Sequence, residues 1–180
     1  MKKKTYILLL VLAVLIVILF FTAKKEGKQL GKLKIKRPPK IRIVYSKKLK
    51  NNERPKITST SIAEKVLREL WSSQIEIREE FVVLLLDRRN RVLGYQLLSK
   101  GGMSGTVADI KLIYSVALEA LASGIILAHN HPAGSVEPSN QDLALTTKIR
   151  QAGNHLDITL LDHIILTKES YYSFADNGQI

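Results

Sequence analysis

The spacing of apolar and polar positions changes several times along this chain, and each change marks an element. From Thr5 to Ala23 there are 19 residues without a charge, nearly all Leu, Val, Ile, Phe or Ala. As a helix they would span roughly 28 Å, close to the core of a bilayer. The run is longer than the core of a secretory signal, and Phe21 stands where cleavage wants a small residue. A retained membrane anchor over residues 1–23 is therefore expected, with membrane contact through residues 5–23. Residues 24–57 follow as a Lys-rich arm. Within it, Lys32 to Lys36 and Lys40 to Val44 alternate basic and apolar positions around Pro38-Pro39, a pattern suited to a short edge strand.

The body, residues 58–180, reads differently. Ser61-Ile62-Ala63-Glu64 has the spacing of a capping box and opens a helix running to about Trp71. Phe81 to Asp87 is an apolar run fit for a buried strand, Arg88-Arg89-Asn90 a turn, and Arg91 to Leu98 a returning strand. A helix is predicted over 107–122, with Ile110, Ile113, Ala117 and Leu118 on one face and Gly124 breaking it. Ile125 to Ala128 is a short buried strand leading into His129. Ser139 opens a further helix that ends at Gly153, Leu156 to Thr167 is strand-like, and Tyr171 to Phe174 adds a last short strand. The alternation of strands and helices predicts an α/β fold: a mixed sheet flanked by helices, preceded by one transmembrane helix.

Composition changes this picture in two places. The chain has no cysteine, which excludes disulfides, cysteine-ligated zinc and thiol catalysis, so any metal must be held by His, Asp, Glu and water. The net charge of +12 invites a nucleic-acid reading. Residues 1–56, however, hold 17 Lys/Arg against two acids, and residues 57–180 hold 11 against 14, a net of +15 and −3. The body is slightly acidic and the basicity belongs to the arm. The arm is expected to be a solvated linker, with anionic lipid head groups or nucleic-acid phosphates as its candidate partners. Seven Lys/Arg follow the apolar run by Arg37 against three before it, so the positive-inside rule places the body in the cytoplasm.

The candidate chemistry gathers at His129-Asn130-His131-Pro132. Alternate strand residues share a face, so His129 and His131 point the same way, roughly 6.6 Å apart along the backbone. Pro132 stops the strand, leaving both imidazoles at its end. Ser139 and Asp142 then stand at the start of a helix, where a cap and an acid in the first turn need no other explanation. Beside two histidines, Asp142 completes a two-His, one-carboxylate set with a fourth position for water, the arrangement of a catalytic zinc site. Such a site also wants a proton acceptor. Glu79 and Glu80 both qualify, and spacing alone leaves the choice open.

The string His-x-His-Pro, six residues, Ser, two residues, Asp resembles the signature of the JAMM (MPN+) metalloproteases, and the Asn within His129-Asn130-His131-Pro132 resembles their RadC-like branch. The resemblance covers about residues 58–180 and includes Glu79-x-Phe81, Ser104-Gly105-Thr106 and Leu161-Asp162-His163. It implies a JAMM/MPN-like, cytidine-deaminase-like sandwich, one Zn2+ per chain on His129, His131 and Asp142, Glu79 as catalytic acid/base, and Ser139 as a residue that helps stabilise an oxyanion. The substrate class it implies is a protein or peptide amide bond. His163 matches a position common in the branch and is given no catalytic role; it is read as a core histidine, with a supporting place behind the ligands as the alternative. RadC-type proteins commonly carry a helix-hairpin-helix region ahead of this domain; here the apolar run and the Lys-rich arm stand in its place.

Two other readings stay open at this level. One is a catalytically silent scaffold module that keeps a metal for structure. The other is a DNA-repair-associated accessory protein, whose support here is the basic arm. A His-Glu-x-x-His helix, the His-x-Glu and Pro-Cys-x-x-Cys segments of a zinc deaminase, and a Gly-x-Ser-x-Gly nucleophile elbow do not occur.

Overall fold

The computed structural model of the chain describes residues 12, 14–18, 49–101 and 108–180. The chain divides into two compact units, Met1–Ile41 and Arg42–Ile180. In the first, Leu12 and residues 14–18 are helical and exposed. The membrane-anchored, single-pass arrangement expected from residues 5–23 is corrected here: among the described residues no helix is long and apolar enough to cross a membrane. The helical residues described there cover about 10 Å, a third of a bilayer core. The rest of that run lies outside the described residues, as do the alternating stretches of the arm.

The second unit is built on a five-stranded sheet. Its strands are β1 (Glu80–Leu86), β2 (Val92–Lys100), β3 (Gly124–Asn130), β4 (Thr159–Leu166) and β5 (Tyr171–Ser173), in the spatial order β2-β1-β3-β4-β5. Only β3 and β4 run parallel; the other neighbours are antiparallel, so the sheet is mixed. The helices are α1 (Thr60–Leu70), α2 (Ile110–Glu119) and α3 (Asn140–His155). A parallel pair needs a crossover, and α3 supplies it between β3 and β4.

Strand alternation sorts the core into two layers. Phe81, Val83 and Leu85 of β1 and Ile125 and Leu127 of β3 pack with Ile113, Tyr114 and Ala117 of α2 and Ile149 of α3. Val82, Leu84 and Leu86, with Ile126 and Ala128, face the other way onto Ala63 and Leu67 of α1. β1 and β3 are buried along their whole length, which is why both read as continuous apolar runs without alternation.

The element ends differ from the sequence pattern for identifiable reasons. α1 is capped by Ser59, whose hydroxyl accepts from the Ile62 amide, two residues before the predicted Ser61. With Ser59 as the cap the capping-box position falls on Ile62, so Glu64 closes no box and pairs instead with Arg68, one turn on. Arg68 in turn donates to the carbonyls of Thr167 (2.9 Å), Lys168 (3.1 Å) and Ser170 (3.1 Å), tying α1 to the β4–β5 turn. The β1–β2 turn is the expected one, with Asn90 at φ 56° and the Asp87 carboxylate accepting from the amides of Arg89 and Arg91. α2 is shorter than predicted, capped by Asp109, and exposes Leu118 rather than burying it.

α3 runs two residues past Gly153. The left-handed turn that follows is taken by Asp157 at φ 54°, so Gly153 is not the helix stop. It is a point of close approach: a Cβ there would overlap the Ile158 carbonyl oxygen and lie 2.7 Å from the Tyr114 hydroxyl. That hydroxyl donates to the Ile149 carbonyl at 2.5 Å, and burial pushes its pKa up to about 12. Asp162 makes a second buried tie. Its carboxylate accepts from Ser173 Oγ (2.7 Å) and from the amides of His163 (2.7 Å) and Ala175 (3.0 Å), and burial pushes its pKa up against those bonds. Gly153→Ala is expected to destabilise the unit by about 1–3 kcal/mol through overpacking at this helix–strand contact. Urea denaturation measures it, and an unchanged midpoint at unchanged slope contradicts the close-packing assignment.

Candidate metal centre

β3 delivers its last residues to the edge of the core. Phe81 is the register partner of His129, and their rings stack in parallel, 5.7 Å apart and within 3°. Alternation puts His129 on the α2/α3 side and Asn130 on the α1 side. Both are fully buried, whereas the His131 side chain keeps 20% of its surface. β3 ends at Asn130, and the His131 amide donates to the Leu166 carbonyl at 2.9 Å, which holds the residue beside β4.

The chain then returns through Gly134, at φ 86°, to Ser139, the N-cap of α3. A complete capping box forms there. The Ser139 hydroxyl accepts from the Asp142 amide (3.2 Å), and the Ser139 amide donates to Asp142 Oδ2 (2.8 Å). The same hydroxyl donates to Asp142 Oδ2 at 2.6 Å. With Oδ2 held twice, Oδ1 is turned to His129 Nε2, 3.3 Å away. Burial raises the Asp142 pKa, but the neighbouring His129 imidazole and the bonds from Ser139 outweigh it and keep the carboxyl well below the usual carboxylate range. A depressed value of this sign stabilises the fold above the ordinary carboxylate range, and the contribution is lost only as pH falls toward the depressed value.

His129, His131 and Asp142 offer three ligand atoms within 4.8 Å of one another. His129 Nε2 lies 3.0 Å from His131 Nε2, and His131 Nε2 lies 3.8 Å from Asp142 Oδ2. Ligands at about 2.0–2.1 Å from a tetrahedral ion stand about 3.3 Å apart, so these separations fit a single small cation. The donor set fits too. His131 Nδ1 lies 2.8 Å from the Ser135 carbonyl, which accepts only, so this nitrogen carries the proton and leaves a lone pair on Nε2. Nitrogen lone pairs and a carboxylate converging at this distance repel one another unless a cation lies between them.

Two carboxylates were open as proton acceptors. Glu80 is buried on the α1 side and pairs with Lys100 at 3.2 Å, away from the histidines. Carrying the alternation one residue back from β1 gives Glu79 the side shared by Phe81 and His129, and the antiparallel register carries it opposite His131. Its carbonyl accepts from the Gly101 amide at 2.8 Å.

Asn130, which the sequence marks only as a family resemblance, is a structural clamp. It accepts from the Glu80 amide (2.8 Å) and donates to the carbonyls of Ile75 (2.7 Å) and Arg78 (2.9 Å). One buried amide thus fastens the 75–80 segment, including Glu79, to the strand carrying both histidines. His163 belongs to this cluster, the alternative left open for it, and Thr146, which the sequence reading missed, joins it. His163 lies 2.9 Å from His129 Nδ1, and Thr146 Oγ1 lies 2.6 Å from His163 Nδ1. Burial pushes the His163 pKa well below its ordinary value, with His129 acting the same way. The available signal was Thr146 one helical turn after Asp142. His155, the last residue of α3, is exposed.

This is a mixed α/β sandwich with a His-x-His and helix-borne Asp centre at a strand end. Residues 57–179 match the model of the RadC-like JAB domain, and the chain belongs to that family, a RadC-like member of the JAMM/MPN group. It is 49% identical over 100 residues to a UPF0758 protein of Flavobacterium johnsoniae, covering 56% of this chain and 44% of that protein. It is 39% identical over 135 residues to one of Porphyromonas gingivalis (74% and 60%) and 36% over 124 residues to one of Streptococcus agalactiae (69% and 54%). The chain thus spans about half the length of these curated relatives.

Asn130→Ala leaves one donor and two acceptors without their partner. It is expected to cost about 2–4 kcal/mol and to speed amide exchange at Glu80. Hydrogen exchange measures both, and wild-type protection at Glu80 would remove the clamp.

Proposed function

We propose that this domain is a zinc-dependent metallopeptidase or isopeptidase that hydrolyses an amide bond in a protein or peptide. The observation that carries this reading is the convergence of His129 Nε2, His131 Nε2 and Asp142 Oδ1, with His131 at the exposed rim where a substrate carbonyl can enter. Zinc bound there supplies a Lewis acid and lowers the pKa of water to about 7. Glu79 takes a proton from the attacking water and passes it to the leaving amine nitrogen. Ser139 holds Asp142 through the cap; to stabilise negative charge building on the carbonyl oxygen, its exposed hydroxyl turns its one proton from Asp142 Oδ2 to the substrate. Lys100 neutralises Glu80, which leaves Glu79 as the acid available to the reaction.

Metal analysis of the purified chain is expected to find about one zinc per chain, lost in His129→Ala/His131→Ala. Equal metal in both proteins contradicts the site. Chelation is expected to lower the unfolding temperature, since zinc at a hundredfold over its Kd contributes about 2.7 kcal/mol. Against a panel of peptides and isopeptides, Glu79→Gln is expected to lose about 10²–10⁴ in kcat/KM while keeping its zinc. Full activity in Glu79→Gln removes it as the acid/base, and absence of turnover by the zinc-loaded wild type favours a scaffold.

A further inference from the structure

We propose that Thr146 and His163 form a hydrogen-bond relay that fixes the proton of His129 on Nδ1 and so aims its Nε2 lone pair at the metal position. The inference rests on the reading of His129, His131 and Asp142 as ligands, and deepens it by naming what positions the buried one.

The direction of each bond follows from the one before. Thr146 Oγ1 lies 2.6 Å from the main-chain oxygen of Asp142. A carbonyl has no proton, so the hydroxyl spends its single proton there. The same Oγ1 is 2.6 Å from His163 Nδ1, and having no proton left it accepts, so His163 Nδ1 carries a hydrogen. His163 is fully buried between sheet and helix, where an imidazolium is disfavoured, so its Nε2 keeps a lone pair. His129 Nδ1, 2.9 Å from that lone pair, must donate. With its proton held on Nδ1, His129 presents Nε2 to His131 Nε2 and Asp142 Oδ1.

The relay begins on the Asp142 main chain and ends beside the Asp142 side chain, so one residue of α3 sets both the carboxylate ligand and the tautomer of a histidine on β3. The rings are also held in plane: His163 stacks on Phe174 at 4.7 Å and His129 on Phe81. A donor bond from the far nitrogen of a ligating histidine fixes its orientation and raises its basicity. Nothing in the relay reaches substrate, so Thr146 and His163 are positioning residues.

The test uses the full zinc-loaded chain. Nitrogen-edited NMR of the imidazoles is expected to find the His163 and His129 protons on Nδ1; a His163 proton on Nε2 overturns the relay. Zinc affinity is expected to fall about 10–100-fold in Thr146→Val and in His163→Phe, the usual cost of losing such a partner. It should recover in Thr146→Ser and in His163→Gln, each of which restores a donor and an acceptor. Affinity within threefold of wild type in Thr146→Val overturns the proposal, and this nearly isosteric variant decides the matter if His163→Phe does not fold. If wild type binds zinc no better than His129→Ala/His131→Ala, the ligand reading has failed instead. The His163 tautomer in the metal-free chain then supports or overturns the relay by itself.

Discussion

The parallel pairing of β3 with β4 is the constraint from which the site follows. Two parallel neighbours cannot be joined by a tight turn, so the chain leaving β3 must cross back over the sheet, and α3 is that crossover. The crossover brings the first turn of α3 back to the end of β3. His129 and His131 therefore meet Asp142 as a consequence of topology. The capping box then orients the carboxylate: the Ser139 amide and hydroxyl hold Oδ2 and leave Oδ1 for the histidines. A cap that any helix could use thus sets the geometry of a ligand.

Around this convergence the buried polar groups are almost all engaged, and each joins elements that apolar packing alone would leave free to slide. Asn130 joins β3 to the segment before β1. Asp162 joins β4 to the chain after β5. Arg68 joins α1 to the β4–β5 turn. Thr146 and His163 join α3 to β4 beneath the metal position. The hydrophobic layers supply the stability of the sandwich; these polar ties, costly to leave unpaired in a dry interior, set its register.

Charge is arranged separately from this core. The slightly acidic body holds the candidate centre, and the Lys-rich sequence that makes the whole chain basic lies ahead of it. A hydropathy run of adequate length in sequence did not translate into a membrane-crossing helix among the described residues.

Much of the fold was legible in the linear pattern, and for a physical reason. Every strand and helix of the body was anticipated within a few residues, because periodicity reports burial directly: β1 and β3 are dry on both faces and show unbroken apolar runs. The candidate ligand residues stood out because His-x-His on a strand and Ser-x-x-Asp at a helix start are local patterns, and the fold brings them together. Boundaries were less so: the cap of α1 falls on Ser59 rather than Ser61, two residues that share the same capping chemistry. Gly153 looked like a helix stop and proved to be a contact with Ile158 and Tyr114, which no local pattern contains. The pairing of Glu80 with Lys100, its tie to Asn130 and the contacts of Thr146 and His163 likewise depend on groups 17 to 50 residues apart. Sequence alone determined which residues could ligate and which faces had to be buried; tertiary structure decided which nitrogens converge, because the orientation of a histidine is set by partners brought together only when the sheet closes.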